Sequence, residues 1–343
     1  MRKACVLGAG AWGTAIAMVL EDLAYQVVLW DRTESVVDEI NRNHRAVRLQ
    51  GLELPQSITA TSDPEEAVRD ASIVMSAIPS TGVREVARLF APSLPEDCVL
   101  VSATKGFDPD TVQRPTEVWT QEAPHVSSKI AVVSGPNFAI EVARRLPSCT
   151  VVAAADPIAR EKAQSALMTN FLRAYTHWDV IGVELGGSLK NIIAMACGIV
   201  EGMGLGYNAQ AALVSRGIAE MTRLGVALGA DPLTFAGLSG IGDLVLTATG
   251  HLSRNRQAGI AVGRGESVES FIDRTGYTVE GLATVKSAIR LADAHSVAMP
   301  ITSVMYRILY QGLPAYQGLQ EIMLRERRSE SEWTFPNSPL QRL

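Results

Sequence analysis

The sequence predicts a doubly wound, parallel α/β domain over residues 1–180, an all-α domain over 181–325 and a polar tail over 326–343. Three observations carry this reading. Short apolar runs alternate with amphipathic helical patterns through the first half, as expected of a parallel sheet with helices on both faces. A glycine-rich turn with Gly8, Gly10 and Gly13 stands between the first apolar run and the first helical pattern. Beyond about residue 179 strand signals cease and long apolar patterns of helical period take over.

Residues 4–7 read as a buried strand and 14–23 as a helix, with Ile16, Ala17, Leu20 and Leu23 on one face. The glycines suit that junction: the first permits the turn, the second lets backbone approach a pyrophosphate, and the third lets helix and strand pack closely. Phosphates then meet the unpaired N–H groups of a helix N-terminus. The run "YQVVLWDR", ending in Asp31 and Arg32, supplies a second strand and completes a Rossmann-type βαβ unit. A polar helix over 34–44 and strands over 72–78, 98–103 and 129–134 follow, then a strand, helix and strand over 149–155, 157–169 and 171–176. The second half opens with a helix over 181–201, in which Leu185, Leu189, Ile192, Ile193 and Ala196 keep helical spacing. The glycines of "GMGLGYN" end it. Another helix covers 209–228, Asp231 and Pro232 start a third, and helical segments continue to about 325. The tail is polar and Pro-containing and reads as frayed.

Composition narrows the function classes. A chain of 343 residues, 47% hydrophobic and 20% charged, suits a soluble protein of two domains. Its net charge of −5 offers no global field for nucleic acid, so anionic ligands must be held by local Lys and Arg groups. No apolar run is expected to reach membrane-span length, and no signal-peptide pattern opens the chain, so the expected location is cytoplasmic. Cys5, Cys98, Cys149 and Cys197 are widely spaced in apolar stretches and read as buried thiols rather than disulfides or metal ligands. His44, His125, His177, His251 and His295 fall in no metal or acid/base spacing and read as structural or surface residues.

In doubly wound sheets ligands bind beyond the carboxyl ends of the strands. That gives positional meaning to Pro79 and Ser80, to Thr104 through Gly106, and to Gly135 through Asn137. Lys105, in "SATKGF", would be a solvated lysine elsewhere; at this crevice it reads as a ligand contact. Lys190 lies inside the most apolar helix. Either it snorkels to the surface, or it faces a cleft between the domains and serves in proton transfer. Gly186 and Gly187, one turn earlier, would let cofactor or substrate approach, and Asn191 beside it can donate to an oxygen. The third cluster holds Asp243, Thr247, Ser253, Arg254, Asn255 and Arg256. It reads as a phosphate cradle at a helix N-terminus or, more plainly, as a helix cap with a basic face. Asp243 either caps a helix or orients a lysine ammonium.

With "GAGAWGTAIA", "SATKGF", "SGPNFAIEVA", "IGVELGGSLKNIIAMACGIVEGMGLGYNAQAAL", "GLSGIGDLVLTATG", "SRNRQAG" and "TVEG" in this order, the chain resembles bacterial NAD(P)-dependent glycerol-3-phosphate dehydrogenase over residues 4–325. The resemblance implies a cytoplasmic homodimer that reduces dihydroxyacetone phosphate to sn-glycerol 3-phosphate for phospholipid synthesis. It also implies a helical domain like the C-terminal domain of 6-phosphogluconate dehydrogenase. By resemblance Lys190 is the proton acceptor in oxidation and the donor in reduction, with Lys105, Asn191, Asp243 and Thr247 in the catalytic surroundings. Gly135, Asn137, Ser253, Arg254 and Asn255, together with Lys105, Lys190 and Asp243, match the substrate shell. Gly8, Gly10, Ala11, Trp12, Gly13, Arg32, Lys105, Ala139, Arg254, Thr278 and Glu280 match the cofactor contacts. No metal is implied, since cationic donors suffice to stabilise the charge that develops on a ketone oxygen.

Ala11 stands where the family often has serine, and Asn137 where it often has threonine. Asp31 points to the ribose hydroxyl of NAD and Arg32 to the 2′-phosphate of NADP; family habit favours NADPH. The rival readings are a lysine-dependent hydroxyacid or 6-phosphogluconate-type dehydrogenase, and a non-catalytic NAD(H)-sensing protein.

Overall fold

Alternate residues of the strands enter different cores. In β1 (Lys3–Leu7), Ala4 and Val6 belong to one buried cluster, and Cys5 and Leu7 to another. In β2 (Gln26–Trp30), Val27 and Leu29 join the first, and Val28 and Trp30 the second. A strand covered on both faces imposes this period of two. The computed structural model describes residues 2–49 and 51–326, so the tail expected to be frayed lies, apart from Glu326, outside the described residues. The chain divides into two units, Met1–Glu184 and Leu185–Leu343.

The first unit is built on one sheet, completed by β3 (Thr59–Thr61), β4 (Ala71–Ser76), β5 (Val99–Ser102), β6 (Ile130–Ser134), β7 (Ser148–Ala154) and β8 (Leu172–His177). Their order is β3-β2-β1-β4-β5-β6-β7-β8. The first six strands are parallel and reverse direction of travel across the sheet between β1 and β4. Ligands gather beside such a switch point. On one face Trp30 meets Phe90 edge to face at 4.9 Å, and the buried Trp119 indole donates to Ser76 Oγ at 3.3 Å.

Two features of the sheet depart from the sequence expectation. β3 has only three residues, too few for a periodic signal, yet it pairs in register with β2. Its outer edge is closed by Asn41, whose amide both donates to and accepts from the Ala60 backbone at 2.8 Å. The expected all-parallel order also fails at β7, which runs antiparallel to β6, with β8 parallel to β7. A parallel crossover must carry the chain back along the whole strand. The five-residue helix Ala139–Ala143 between β6 and β7 spans only about 7 Å, so β7 starts at the end where β6 stops.

In the second unit, the long helix Val180–Gly202 continues from the first, followed by Gly206–Ala227, Asp243–Thr249, Arg254–Gly263, Val268–Thr275, Glu280–Ala294, Pro300–Tyr310 and Ala315–Met323. The helix expected to start at Asp231 and Pro232 is a single 3-10 turn, Pro232–Ala236, followed by a π turn, Leu238–Gly242. Gly237 and Gly240 interrupt the α pattern there, and a Cβ on Gly240 would lie 2.1 Å from the Phe235 carbonyl oxygen. Helices Val180–Gly202 and Arg254–Gly263 cross backbone to backbone. A Cβ on Gly198 would lie 2.2 Å from the Arg256 oxygen, and one on Gly259 2.1 Å from the Met195 oxygen.

Two further expectations are corrected. Helix Val180–Gly202 is long and apolar enough to cross a membrane by length and composition, with a mean hydropathy of 1.4 over an 18-residue window despite its charged residues. Its apolar window is 89% buried within the chain, as a core helix requires. Cys5, Cys98 and Cys197 are buried, whereas Cys149, at the start of β7, is partly exposed. Burial pushes the Cys98 thiol up to about 11 and that of Cys197 up to about 12.

The buried Glu220 carboxylate accepts the N–H groups of Ile301 and Thr302 and the Thr302 hydroxyl, and so caps helix Pro300–Tyr310 from another helix. Burial raises this carboxyl above its ordinary range even against those donors. Glu220→Ala strands both N–H groups and is expected to cost about 1–3 kcal/mol. Urea unfolding checks this as a lower midpoint at unchanged slope.

Candidate active site

β1 ends at Leu7, and the chain turns through Gly8 at φ +101°, a left-handed conformation that suits glycine. The helix begins at Ala11, earlier than its hydrophobic period indicates, so Gly13 lies in its first turn. A Cβ at Gly13 would fall 1.9 Å from the Gly8 carbonyl oxygen, whereas a Cβ at Gly10 would meet nothing within 4 Å. The loop therefore has one glycine for the turn, one facing open space and one for close packing, and that shape fits a dinucleotide pyrophosphate. Ala11 and Trp12, both half-buried, form the opening turn of this helix.

The Asp31 carboxylate is buried and turned back on its own loop. One oxygen accepts the Ala9 N–H at 3.2 Å and the other the Thr33 N–H at 3.0 Å. The Arg32 side chain is 78% exposed, with Glu85 3.9 Å away. Lys105 follows β5, just past Thr104, whose hydroxyl donates to the Ile78 carbonyl at 2.9 Å. Gly135 follows β6 at φ +152°, close against Thr150. The Asn137 amide donates to the Cys149 carbonyl at 2.9 Å, and Ala139 opens the next short helix. Every residue singled out in this unit, from the glycine loop to Ala139, therefore lies at or just past the carboxyl end of a parallel strand.

In the second unit Lys190 does not snorkel. It is 6% exposed, and its ammonium donates to Asp243 Oδ1 and to Thr247 Oγ1, residues 1% and 4% exposed. The Thr247 hydroxyl donates its own proton to the Asp243 carbonyl at 2.7 Å, which leaves its oxygen to receive Lys190. Asp243 and Thr247 share one face of helix Asp243–Thr249 because they are four residues apart. Asn191 donates to Glu280 Oε2 at 3.2 Å, and Asn255 Oδ1 accepts the Gly281 N–H at 2.9 Å. Helices Val180–Gly202, Asp243–Thr249, Arg254–Gly263 and Glu280–Ala294 thus bring one lysine, two carboxylates, two amides and a hydroxyl together.

Some assignments change. Ser253 caps helix Arg254–Gly263 by accepting the Arg256 N–H at 3.2 Å, which leaves its own O–H as a donor. Arg254 and Thr278 are exposed. Arg256 instead pairs with Glu201 at 2.6 Å. The opening expected at Gly186 is filled, since a Cβ there would lie 2.6 Å from the Ser239 carbonyl oxygen. The sequence reading missed Asp108, buried just beyond Lys105 and paired with Arg84 at 3.1 Å. A pairing across 24 positions of chain leaves no periodic trace.

A glycine loop on a doubly wound sheet, with a buried lysine and carboxylate in an all-helical unit, defines a nicotinamide-dinucleotide-dependent dehydrogenase. The profile for the NAD-dependent glycerol-3-phosphate dehydrogenase N-terminus matches residues 3–160 and that for its C-terminus residues 179–320. The chain belongs to the NAD-dependent glycerol-3-phosphate dehydrogenase family. It is 46% identical over 327 residues to glycerol-3-phosphate dehydrogenase [NAD(P)+] of Symbiobacterium thermophilum, covering 95% of each chain. It is 44% identical to the enzyme of that name from a Thermoanaerobacter species, covering 96% of this chain and 98% of the relative. The crystal structure of glycerol-3-phosphate dehydrogenase from Coxiella burnetii superposes with a TM-score of 0.90 at 35% identity, covering 94% of this chain and 99% of that one.

Gly13→Ala is expected to break the glycine loop, because the added methyl must displace backbone rather than a side-chain tip. Loss of NADH- or NADPH-dependent fluorescence enhancement, in protein whose circular dichroism still shows the fold, would verify it.

Proposed function

We propose that this chain catalyses the reversible NAD(P)H-dependent reduction of dihydroxyacetone phosphate to sn-glycerol 3-phosphate, with Lys190 as the proton donor in reduction and the acceptor in oxidation. The observation that carries it is the ammonium of Lys190, buried and hydrogen-bonded to Asp243 and Thr247 in the helical unit. A buried ammonium needs a partner, and this one has a carboxylate and a hydroxyl that together fix its direction. When bound, the reduced nicotinamide supplies the hydride. As negative charge develops on the ketone oxygen, Lys190 Nζ gives it a proton, and Asn191 is placed beside it to donate a hydrogen bond. Asp243 and Thr247 keep Nζ in place as the proton is transferred.

On this reading residues 1–180 bind the dinucleotide through Gly8, Gly10, Ala11, Trp12, Gly13, Arg32, Lys105 and Ala139. Residues 181–325 supply the substrate groups and the catalytic lysine, with Thr278, Glu280 and Arg254 reaching the cofactor as well. Lys105, Gly135, Asn137, Asn255 and Arg254 take the substrate, whose phosphate provides remote binding energy for orienting the carbonyl. Ser253 takes the substrate as well, its oxygen fixing the helix end that carries Arg254 and its O–H left to donate to the phosphate. The exposure of Arg254 supports its role, because a phosphate needs a guanidinium that is not already consumed. We further propose a cytoplasmic homodimer that feeds phospholipid synthesis; four unpaired cysteines suit a reducing compartment.

NADPH is the proposed preferred cofactor. Both Asp31 oxygens are engaged by backbone N–H groups of the loop, whereas the Arg32 guanidinium is largely exposed. Asp31 thus acts as a loop brace, and Arg32 is the group positioned to receive a 2′-phosphate.

The test is the absorbance of the reduced nicotinamide, followed with dihydroxyacetone phosphate against unphosphorylated dihydroxyacetone. Lys190→Ala should lower turnover by about 10²- to 10⁴-fold while NADPH still binds; unchanged turnover refutes the role of Lys190. Arg32→Ala should lower kcat/KM for NADPH about tenfold relative to NADH, as expected from loss of one charge-assisted contact. Parallel titrations with the two cofactors read that ratio directly.

A further inference from the structure

We infer that Arg84 is a positioning residue for Lys105, locking the far end of the loop that presents the lysine. The inference rests on the reading of Lys105 as a group that touches the ligands.

The near end of this loop is fixed to the sheet. The Ala103 N–H donates to the Ser76 carbonyl at 2.8 Å, and the Thr104 hydroxyl to that of Ile78 at 2.9 Å. Beyond Lys105 come Gly106 at φ +116°, the buried Phe107 and the buried Asp108. Asp108 turns the chain on itself. Its side chain accepts the Thr111 N–H at 2.9 Å and the Thr111 hydroxyl at 2.8 Å, while its N–H donates to the Gln113 carbonyl at 2.9 Å.

Arg84, on helix Val83–Phe90, holds that turn. Its Nε donates to Asp108 Oδ2 at 3.1 Å, and Nη2 to Thr111 Oγ1 at 3.2 Å and to Gln113 Oε1. Its Nη1 donates to Glu122 Oε1 at 2.6 Å and to Gln121 Oε1 at 3.2 Å, at the end of helix Pro115–Glu122. All five donors of the guanidinium are used, and the side chain is only 15% exposed. Burial opposes the Asp108 charge, but the Thr111 and Arg84 donors outweigh it and hold the carboxyl below its ordinary range. This is no exposed ion pair of small worth.

The loop also carries a conformation that needs holding. Val112 sits at φ +56°, a region β-branched residues disfavour. Without the guanidinium, the hydrogen bonds within the segment between Asp108 and Gln113 must hold this shape against the Val112 backbone preference unaided by the neighbouring helices. Lys105, three residues upstream, would then gain orientations that do not serve the reaction.

The experiment is a double-mutant cycle on the full chain, with Arg84→Ala, Lys105→Ala and the combined variant assayed for kcat and KM well below the melting temperature of each. Arg84→Ala is expected to lower kcat/KM for dihydroxyacetone phosphate by about 10- to 100-fold. In the Lys105→Ala background the same change should cost almost nothing more, because the residue acts through the lysine. Arg84→Lys keeps the charge without the planar fork and should recover little. If Arg84→Ala does not fold, Arg84→Lys and Asp108→Asn carry the same cycle. Wild-type kinetics in the Arg84 variants, or equal losses with and without Lys105, overturn the inference and leave the reading of Lys105 intact. A Lys105→Ala enzyme as active as wild type overturns that reading and the inference with it.

Discussion

A positive charge in the middle of the most apolar helix is the constraint to which the helical unit answers. Lys190 cannot sit there alone, since an unpaired ammonium in an apolar interior costs several kcal/mol. Asp243 must therefore be delivered to it, and Thr247 one turn further. The π turn Leu238–Gly242 immediately precedes Asp243, and such turns shift the phase of the helix that follows. Gly186 removes the side chain that would hold the long helix off the Ser239 carbonyl, and Gly240 the one that would strike the Phe235 backbone within the turn. The arrangement is expensive to keep without a use: hydrophobic residues at both 190 and 243 would pack the same space with less risk.

The dinucleotide-binding unit solves a different problem, that of presenting backbone N–H groups to anions beside a carboxylate of its own. Asp31 is the instructive case. Its place at the end of the second strand is the one from which an acidic residue reaches a ribose, yet its carboxylate spends both oxygens inside the loop. On the proposed reading, charge placement falls to its neighbour Arg32. Glu85, at 3.9 Å, tempers that arginine without burying it.

Much of this was legible in the sequence because the strongest signals are local. The glycine loop, the alternation of strands and helices and the long helix around Lys190 all declare themselves within a dozen or so residues. β3 was invisible because three residues have no period, and its partner β2 identifies it only in space. The reversal at β7 follows from the shortness of one helix, which composition does not reveal. Ser253 shows the limit at the site itself. A serine before a basic helix can serve as a cap, as a phosphate ligand or as both, and only the fold shows that its oxygen accepts the Arg256 N–H at 3.2 Å. Lys190 was readable as anomalous; Asp243, 53 positions away in the chain, was readable as a helix cap or as the carboxylate for a lysine, and only the fold chooses between the two.

The crossing of helices Val180–Gly202 and Arg254–Gly263 has a mechanical consequence. Gly198 and Gly202 meet Gly259 and Gly263 with no side chain between the two backbones. Side chains can exchange rotamers and absorb small displacements, but bare backbone offers no such compliance. The two helices therefore move as one body, and Lys190 and Asn191 on the first keep their distance from Asn255 on the second whatever motion the rest of the unit undergoes.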